Sequence, residues 1–148
     1  MDSVIEFELV RELPLGIEIL RAEALRAGFR FMDKLVSEWE SGANRFDMPG
    51  EMLFGAFADA RLVAIGGLNI DPYANDPSVA RLRHLYVLSR VRRQKVGSRI
   101  ARHLLDTART SFASVRLFTD TAEAGAFYAK LGFARTHSPN ATHIFKFR

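Results

Sequence analysis

The second half of the chain alternates between segments with strand character and segments with helix character. Residues 79–87 and 115–119 are predicted as strands, and from Val96 onward apolar residues recur at the spacing of an amphipathic helix. A further helix is predicted over 122–131, stopped by Gly132, a residue suited to the position just after a helix. This strand–helix–strand–helix–strand order, preceded by antiparallel strands, argues for a mixed sheet in an α/β or α+β fold.

The remaining segments complete the same architecture. No repeat, low-complexity tract or Pro/Ser-rich linker interrupts the chain, so a single domain over 1–148 is expected. The prediction is a mixed, mostly antiparallel sheet of six to seven strands flanked by about four helices. The other predicted strands are 5–11, 52–58, 62–70, 133–136 and 143–147, and the other predicted helices are 14–27 and 31–41.

The charges of the chain are divided unevenly along its length. The formal net charge is +4, but residues 1–76 carry 14 acidic and 7 basic side chains, whereas residues 77–148 carry 3 acidic and 14 basic ones. Between Asp76 and Asp106 there are eight Arg or Lys residues and no acidic residue. A basic block of this kind indicates an anionic partner, which could be a nucleic acid, a lipid or a phosphorylated cofactor.

Several classes of protein are excluded or disfavoured by composition. The chain has no cysteine, which excludes disulfides, thiolate nucleophiles and Cys-ligated metals. Its histidines show no metal-ligand spacing, so no catalytic metal is expected. No segment approaches 18 uninterrupted apolar residues, and the N-terminus lacks a basic region followed by an apolar run, so we expect a cytoplasmic protein with no membrane partner. The four histidines are His84, His103, His137 and His143.

Two segments could carry chemistry. In the first, residues 85–98, a strand ends, a cationic turn follows, and a helix begins near Val96. The free N–H groups of a helix start form a site for phosphate, to which the charged turn would add, although a solvated basic turn is an equally plausible reading. The second segment, 127–133, is a helix that ends on Leu-Gly before a strand, and Tyr128 within it is by itself compatible with a core aromatic.

Taken together, the two segments resemble the GNAT N-acetyltransferase superfamily. The first matches the family's L-x-V-x-P-x-x-[RQ]-x-x-G-x-[GA] signature through Leu85-Tyr86-Val87 and Arg92…Val96-Gly97. The second matches N-x-x-A-x-x-F-Y-x-K-x-G-F through Ala124, Phe127-Tyr128, Lys130 and Gly132-Phe133. The resemblance covers roughly residues 63–136. It departs from the family at Ser89 in place of proline, Lys95 in place of the central glycine, and Thr121 in place of asparagine.

The resemblance implies a cofactor and a site. The cofactor would be acetyl-CoA, acting as co-substrate, with its pantetheine arm held between two splayed parallel strands by the backbone of Leu85, Tyr86 and Val87. Tyr128 would be the general acid that protonates the departing thiolate. A lysine forced to positive φ at position 95 would cost roughly 1 kcal/mol. The other residues expected at the cofactor are Arg92, Arg93, Gln94, Lys95, Val96, Gly97, Ser98, Thr121, Phe127 and Lys130.

The acceptor is expected to be a primary amine of a small molecule or peptide. Its pocket would be built by the first two helices and the loops 44–50 and 71–77, whose acidic residues would suit a cationic amine. No general base is assigned, because His84, one candidate, is equally compatible with a structural role. Two other classes remain open: a non-catalytic acyl-CoA-binding regulatory domain and, with less support, a nucleic-acid-binding module. A homodimer through the terminal strand is also open.

Overall fold

The computed structural model describes residues 4–147, which form one seven-stranded sheet with helices on both faces. The strand order is β1-β2-β3-β4-β5-β7-β6, and every neighbouring pair is antiparallel except β4 and β5. The mixed, mostly antiparallel sheet expected from the sequence is therefore confirmed. The strands are β1 (Ile5–Leu9), β2 (Met52–Ala58), β3 (Arg61–Ile70), β4 (Val79–Val87), β5 (Ser114–Leu117), β6 (Ala134–Ser138) and β7 (Ala141–Lys146). The α-helices are α1 (Ile17–Arg26), α2 (Phe31–Ser41), α3 (Val96–Ala108) and α4 (Ala122–Lys130), and a 3₁₀ helix spans Ser89–Gln94.

The predicted elements and the observed ones differ mainly at their ends. The hairpin between β2 and β3 turns on two residues, Asp59 and Ala60, and not on three. Both have positive φ, at 51° and 65°, which is the backbone of the tight turn that matches the twist of paired strands. None of the helices described is long and apolar enough to cross a membrane.

Two adjacent glycines in β3 let helices and side chains approach the sheet closely from both sides. A Cβ at Gly66 would lie 2.8 Å from Ile100 of α3, and a Cβ at Gly67 would collide with the ring of Phe46. Since consecutive strand residues face opposite sides, α3 covers one face of the sheet, and Phe46 lies on the other, with α1 and α2. The core therefore has two layers, one on each side of β3 and β4.

The edge of β4 opens in the middle of the sheet. Its parallel pairing with β5 extends only from Val79 to Arg81, so within the described chain no strand pairs with residues 82–87 on that side. On its other side β4 carries a bulge, because Ile65 pairs with Tyr86 while Gly67 pairs with Arg83. His84, within the bulge, has a φ of 60°. The expected splay of the parallel strands is thus present, and it starts immediately after Arg81.

Candidate functional site

The open edge of β4 presents the backbone of the first predicted segment. Leu85 faces α3, with its Cδ1 3.1 Å from the position that a Cβ on Gly66 would take. Tyr86 faces the opposite side, where it is buried and its ring lies 6.1 Å from that of Phe31. The two side chains are therefore used in packing, and the backbone is what these residues offer to the opening between β4 and β5.

The turn after β4 forms a cradle of backbone N–H groups. The 3₁₀ helix ends at Gln94, Lys95 adopts a left-handed conformation with φ 58° and ψ 28°, and α3 begins at Val96. A right-handed residue followed by a left-handed one turns successive N–H groups toward a common point, which is an anion-binding arrangement. Among the described residues no side chain caps the start of α3, so its first N–H groups and the positive end of its dipole remain available to an anion. Lys95 therefore has the positive φ that was considered above for this position, where the family has its central glycine.

Gly97 and Ser98 lie in the first turn of α3, beside the end of β4. A Cβ on Gly97 would lie 3.3 Å from Val87 and 3.5 Å from Phe127, so this position connects β4, α3 and α4. The Ser98 hydroxyl donates a hydrogen bond to the Lys95 carbonyl at 3.1 Å. Arg93 and Lys95 are exposed on the turn, and Val96 is buried.

Arg92, an exposed residue, stabilises the turn through its contacts with the end of β4. Its guanidinium donates hydrogen bonds to the Val87 carbonyl at 3.0 Å and to the Tyr86 hydroxyl at 3.2 Å, and it lies 5.5 Å from the centre of the Tyr86 ring. Glu23 of α1 lies 4.0 Å from Arg92 and accepts a hydrogen bond from the Ser89 N–H at 2.9 Å. Burial alone would raise the pKa of Glu23, but the Ser89 hydrogen bonds and the Arg92 charge outweigh it and lower the pKa below its ordinary value. Glu23 is therefore negatively charged, and in this form it holds the turn in place.

The second predicted segment lies on α4. Thr121 is the N-cap of this helix, and its Oγ1 accepts a hydrogen bond from the Ala124 N–H at 3.1 Å. The Phe127 and Tyr128 rings lie edge to face, 5.0 Å apart. Tyr128 also packs against Phe133 at 5.5 Å, and burial raises the pKa of its phenol. Lys130 is exposed in the last turn of α4.

His84 is unsuited to the role of general base. It is buried, and neither of its ring nitrogens has a hydrogen-bond partner in the described chain. Burial, with the charges of Arg83 and Lys34, lowers its pKa to about 3. Its ring packs 6.1 Å from the Phe46 ring. His84 is therefore neutral at physiological pH and binds protons very weakly.

A cavity of about 430 Å³ opens on the face of the sheet that α2 covers. Its walls come from α2, residues 42–48, Glu51, the end of β3, the following loop, and Arg83 of β4. The sequence led us to expect an acceptor pocket built from the first two helices and the loops 44–50 and 71–77; this cavity is lined by the second helix and parts of both loops, whereas none of the described residues that line it comes from α1. Arg83 and Asn69 line this cavity but were not predicted from the sequence. The available signal was that Arg81 and Arg83 alternate along a strand and so point to one face.

A buried charge cluster lies next to this cavity. Asp71, whose side chain is fully buried, accepts hydrogen bonds from the guanidinium groups of Arg116 at 3.0 Å and Arg81 at 3.4 Å. Burial alone would raise the pKa of Asp71, but hydrogen bonds from Arg116 and the Tyr73 N–H and the charges of both arginines lower it. The cluster holds two guanidinium groups and one carboxylate, and its net charge is positive. Over residues 4–147 no group of three or more His, Asp or Glu side chains is arranged to hold a metal.

Comparison with known proteins assigns the class to which this fold and site belong. The model of the acetyltransferase (GNAT) family matches residues 18–133. The chain therefore belongs to the GNAT family of acetyltransferases. No curated protein matches the chain by sequence.

Solved structures share its fold over nearly the whole chain. A candidate acetyltransferase from Exiguobacterium sp. 255-15 has a TM-score of 0.86 at 23% identity, covering 99% of this chain and 94% of that one. A GNAT family N-acetyltransferase from Escherichia coli, solved in complex with CoA, has a TM-score of 0.72 at 15% identity, covering 100% and 84%. Glucosamine-6-phosphate N-acetyltransferase from Arabidopsis thaliana has a TM-score of 0.61 at 17% identity, covering 93% and 97%. At these identities the likeness concerns the fold.

Proposed function

We propose that the protein transfers an acetyl group from acetyl-CoA to a primary amine. The observation that carries this proposal is the continuous path from the open edge of β4, residues 82–87, to the N–H cradle at Lys95. Pantetheine contains two amides, which an unpaired strand edge can bind as another strand would. The CoA pyrophosphate then meets the start of α3 and its basic turn. GNAT family membership supports the same cofactor.

The proposed reaction is direct transfer. The amine nitrogen attacks the thioester carbonyl, a C–N bond forms, the C–S bond breaks, the nitrogen loses one proton, and the CoA sulfur gains one. The Val87 N–H is the proposed donor to the thioester oxygen. No covalent enzyme intermediate is required, which is compatible with a chain that has no cysteine. The acceptor approaches through the cavity on the α2 face.

Tyr128 is the proposed donor to the CoA sulfur. Free tyrosine has a pKa of about 10 and a thiol about 8.5, so complete proton transfer would cost about 2 kcal/mol even without the shift. Because burial raises the pKa of Tyr128 further, its hydroxyl stays protonated throughout the physiological range. Its contribution is therefore a hydrogen bond that strengthens as negative charge develops on the departing sulfur, and the released thiolate takes its proton from solvent.

Replacing Tyr128 by Phe tests this role. Since the variant keeps the ring and its packing against Phe127 and Phe133, we expect an unchanged fold and a CoA dissociation constant within about twofold of wild type. We expect kcat to fall by about 100-fold, the size typical of a positioned acid. The measurements are release of free thiol from acetyl-CoA with an amine panel, and CoA affinity by calorimetry.

The outcomes separate the candidate functions. Turnover unaffected in Tyr128→Phe would refute the acid role. Tight CoA binding by the wild type with no transfer to any amine would instead indicate a non-catalytic acyl-CoA-binding domain. Salt-sensitive binding of generic DNA or RNA, without CoA binding, would indicate the nucleic-acid module.

A further inference from the structure

The cavity on the α2 face holds two half-buried groups of opposite charge that do not neutralise each other. One is Glu38, on α2, and the other is Arg83, on β4. None of the ion pairs within residues 4–147 involves either side chain. Opposite charges in one partly buried cavity would ordinarily be expected to pair, because they have lost part of their hydration. Their separation leaves both available to a ligand.

Within residues 4–147, one oxygen of the Glu38 carboxylate lacks a hydrogen-bond donor. Its Oε1 is buried, and it has no hydrogen-bond partner in the described part of the chain. A buried carboxylate oxygen without a donor destabilises the folded protein. The other half-buried acid of the cavity, Glu51, is already satisfied, since it accepts hydrogen bonds from the Met48 and Ile70 N–H groups at 3.2 and 2.9 Å. Of the two half-buried acids of the cavity, Glu38 is therefore the one that the described residues leave without a donor, and it is where the positive charge of an ammonium group would be stabilised.

The guanidinium of Arg83 has donors to spare. Its hydrogen bond to Asn69 Oδ1 is long, at 3.5 Å. That oxygen is already held by Asn44, whose Nδ2 donates to it at 2.9 Å, while Asn69 Nδ2 donates back to Asn44 at 3.0 Å. Arg83 also lies on the same strand face as Arg81, whose cluster with Asp71 and Arg116 has a net positive charge. The field at this wall favours an anionic group.

From this arrangement we infer that the cavity binds a small dipolar amine, with its ammonium group at Glu38 and an anionic group, carboxylate or phosphate, at Arg83. The Asn44–Asn69 amide pair holds one wall rigid beside Arg83. The inference rests on the proposed acetyl transfer and specifies the acceptor. It goes beyond the cationic amine expected from the sequence, because it requires an anion in the same molecule.

Matched amines test the inference. The probes are O-phosphoethanolamine against ethanolamine, and 4-aminobutyrate against butylamine, each with acetyl-CoA while free thiol is followed. We expect each dipolar amine to have at least a tenfold higher kcat/KM than its partner. The phosphate and carboxylate pairs distinguish the two anionic groups. Calorimetry with the same four amines and no cofactor measures the affinity of each amine for the protein independently of turnover.

Variants locate the two contacts. Arg83→Gln should reduce the preference within each pair to less than twofold, mainly through KM. Glu38→Gln should lower the affinity for all four amines by at least tenfold, while its melting temperature stays at or above that of wild type, because the variant removes the negative charge from a half-buried side chain with an unpartnered oxygen. The matched controls are Glu40→Gln, exposed on the same helix, and Arg61→Gln, exposed at the start of β3. Both should keep the wild-type preference.

The result that overturns the inference differs from the one that overturns the proposed function. Efficient transfer to ethanolamine and butylamine, unchanged in Arg83→Gln, would refute the dipolar acceptor and leave acetyl transfer standing. Failure of all four amines to bind would also refute it. Selective binding of the dipolar amines with no transfer would confirm the cavity's specificity and count against acetyl transfer.

Discussion

At the scale of single residues, Lys95 shows how the backbone rather than a side chain makes the cofactor cradle. The left-handed conformation, φ 58° and ψ 28°, is costly for a residue with a Cβ, by roughly 1 kcal/mol. This strained residue lies where the 3₁₀ helix meets α3, and its conformation directs N–H groups outward. Strain of this kind persists where the surrounding structure over-determines it, and functional sites are its usual location.

Two substitutions at this position separate the backbone from the charge. Lys95→Gly and Lys95→Asn both remove the ammonium group and both tolerate the left-handed conformation. We expect unfolding free energies equal to wild type or up to about 1 kcal/mol higher. We expect CoA affinity to fall by less than about tenfold, because the N–H groups remain and an exposed charge is screened by salt. Denaturant unfolding and calorimetry measure both quantities.

Lys146→Asn, an exposed substitution in β7, is the control for the loss of one positive charge. A loss of CoA affinity beyond about 100-fold in both Lys95 variants, with no loss in the control, would mean that the lysine side chain is the principal phosphate ligand. The backbone cradle would then be a secondary feature.

At the scale of elements, α4 depends on Thr121 to start. The Thr121 hydroxyl satisfies one of the N–H groups that a helix start leaves free. Thr121→Ala should lower the free energy of unfolding by about 1 kcal/mol, whereas Thr121→Asn, which restores the family's residue, should leave it within about 0.5 kcal/mol of wild type. Chemical denaturation of the three proteins tests this, and equal stability of Thr121→Ala and wild type would contradict it.

The order of helices and strands was predictable because most of them carry an uninterrupted periodicity. The helix α3 follows from apolar residues spaced along 96–108, and the end of α4 follows from Gly132. The bulge at His84 was not predictable, since nothing local distinguishes one extra residue in a strand from a regular one. The bulge changes which of the residues after Arg83 share its face, so the position of the charged wall relative to the open edge at Tyr86 could not be predicted.

The cofactor cradle could be predicted from the sequence, whereas the acceptor cavity could not. The cradle is contiguous in sequence, and its basic turn and helix start were found from residues 85–98 alone. The cavity is assembled from α2, the loop before β2, the end of β3 and β4. Contacts such as that between Asn44 and Asn69 join segments 25 residues apart, and only the folded chain brings them together.

At the scale of the whole molecule, the uneven charge distribution becomes a set of contacts at the two ends of β4. Near its start, Asp71 of the acidic half binds Arg81 and Arg116 of the basic half. After its end, Glu23 of the acidic half binds Ser89 and lies near Arg92. Two carboxylates from the first 76 residues thus anchor the strand that borders both proposed binding sites.

This anchoring predicts how the protein responds to acid. Because the folded pKa of Asp71 lies below its ordinary value of 3.8, the unfolded chain takes up the proton first as pH falls. The stability that Asp71 contributes is therefore complete above about pH 4 and is lost as pH falls through the lower folded pKa.

Asp71→Asn should lower the free energy of unfolding at pH 7 by about 3 kcal/mol, since it leaves two guanidinium groups without a carboxylate. It should also flatten the dependence of stability on pH below 4. Urea unfolding between pH 2 and 7 measures both effects, with exposed Asp106→Asn as the control. An Asp71→Asn variant with wild-type stability at pH 7 and an unchanged acid slope would show that the buried cluster does not hold β4 against β5.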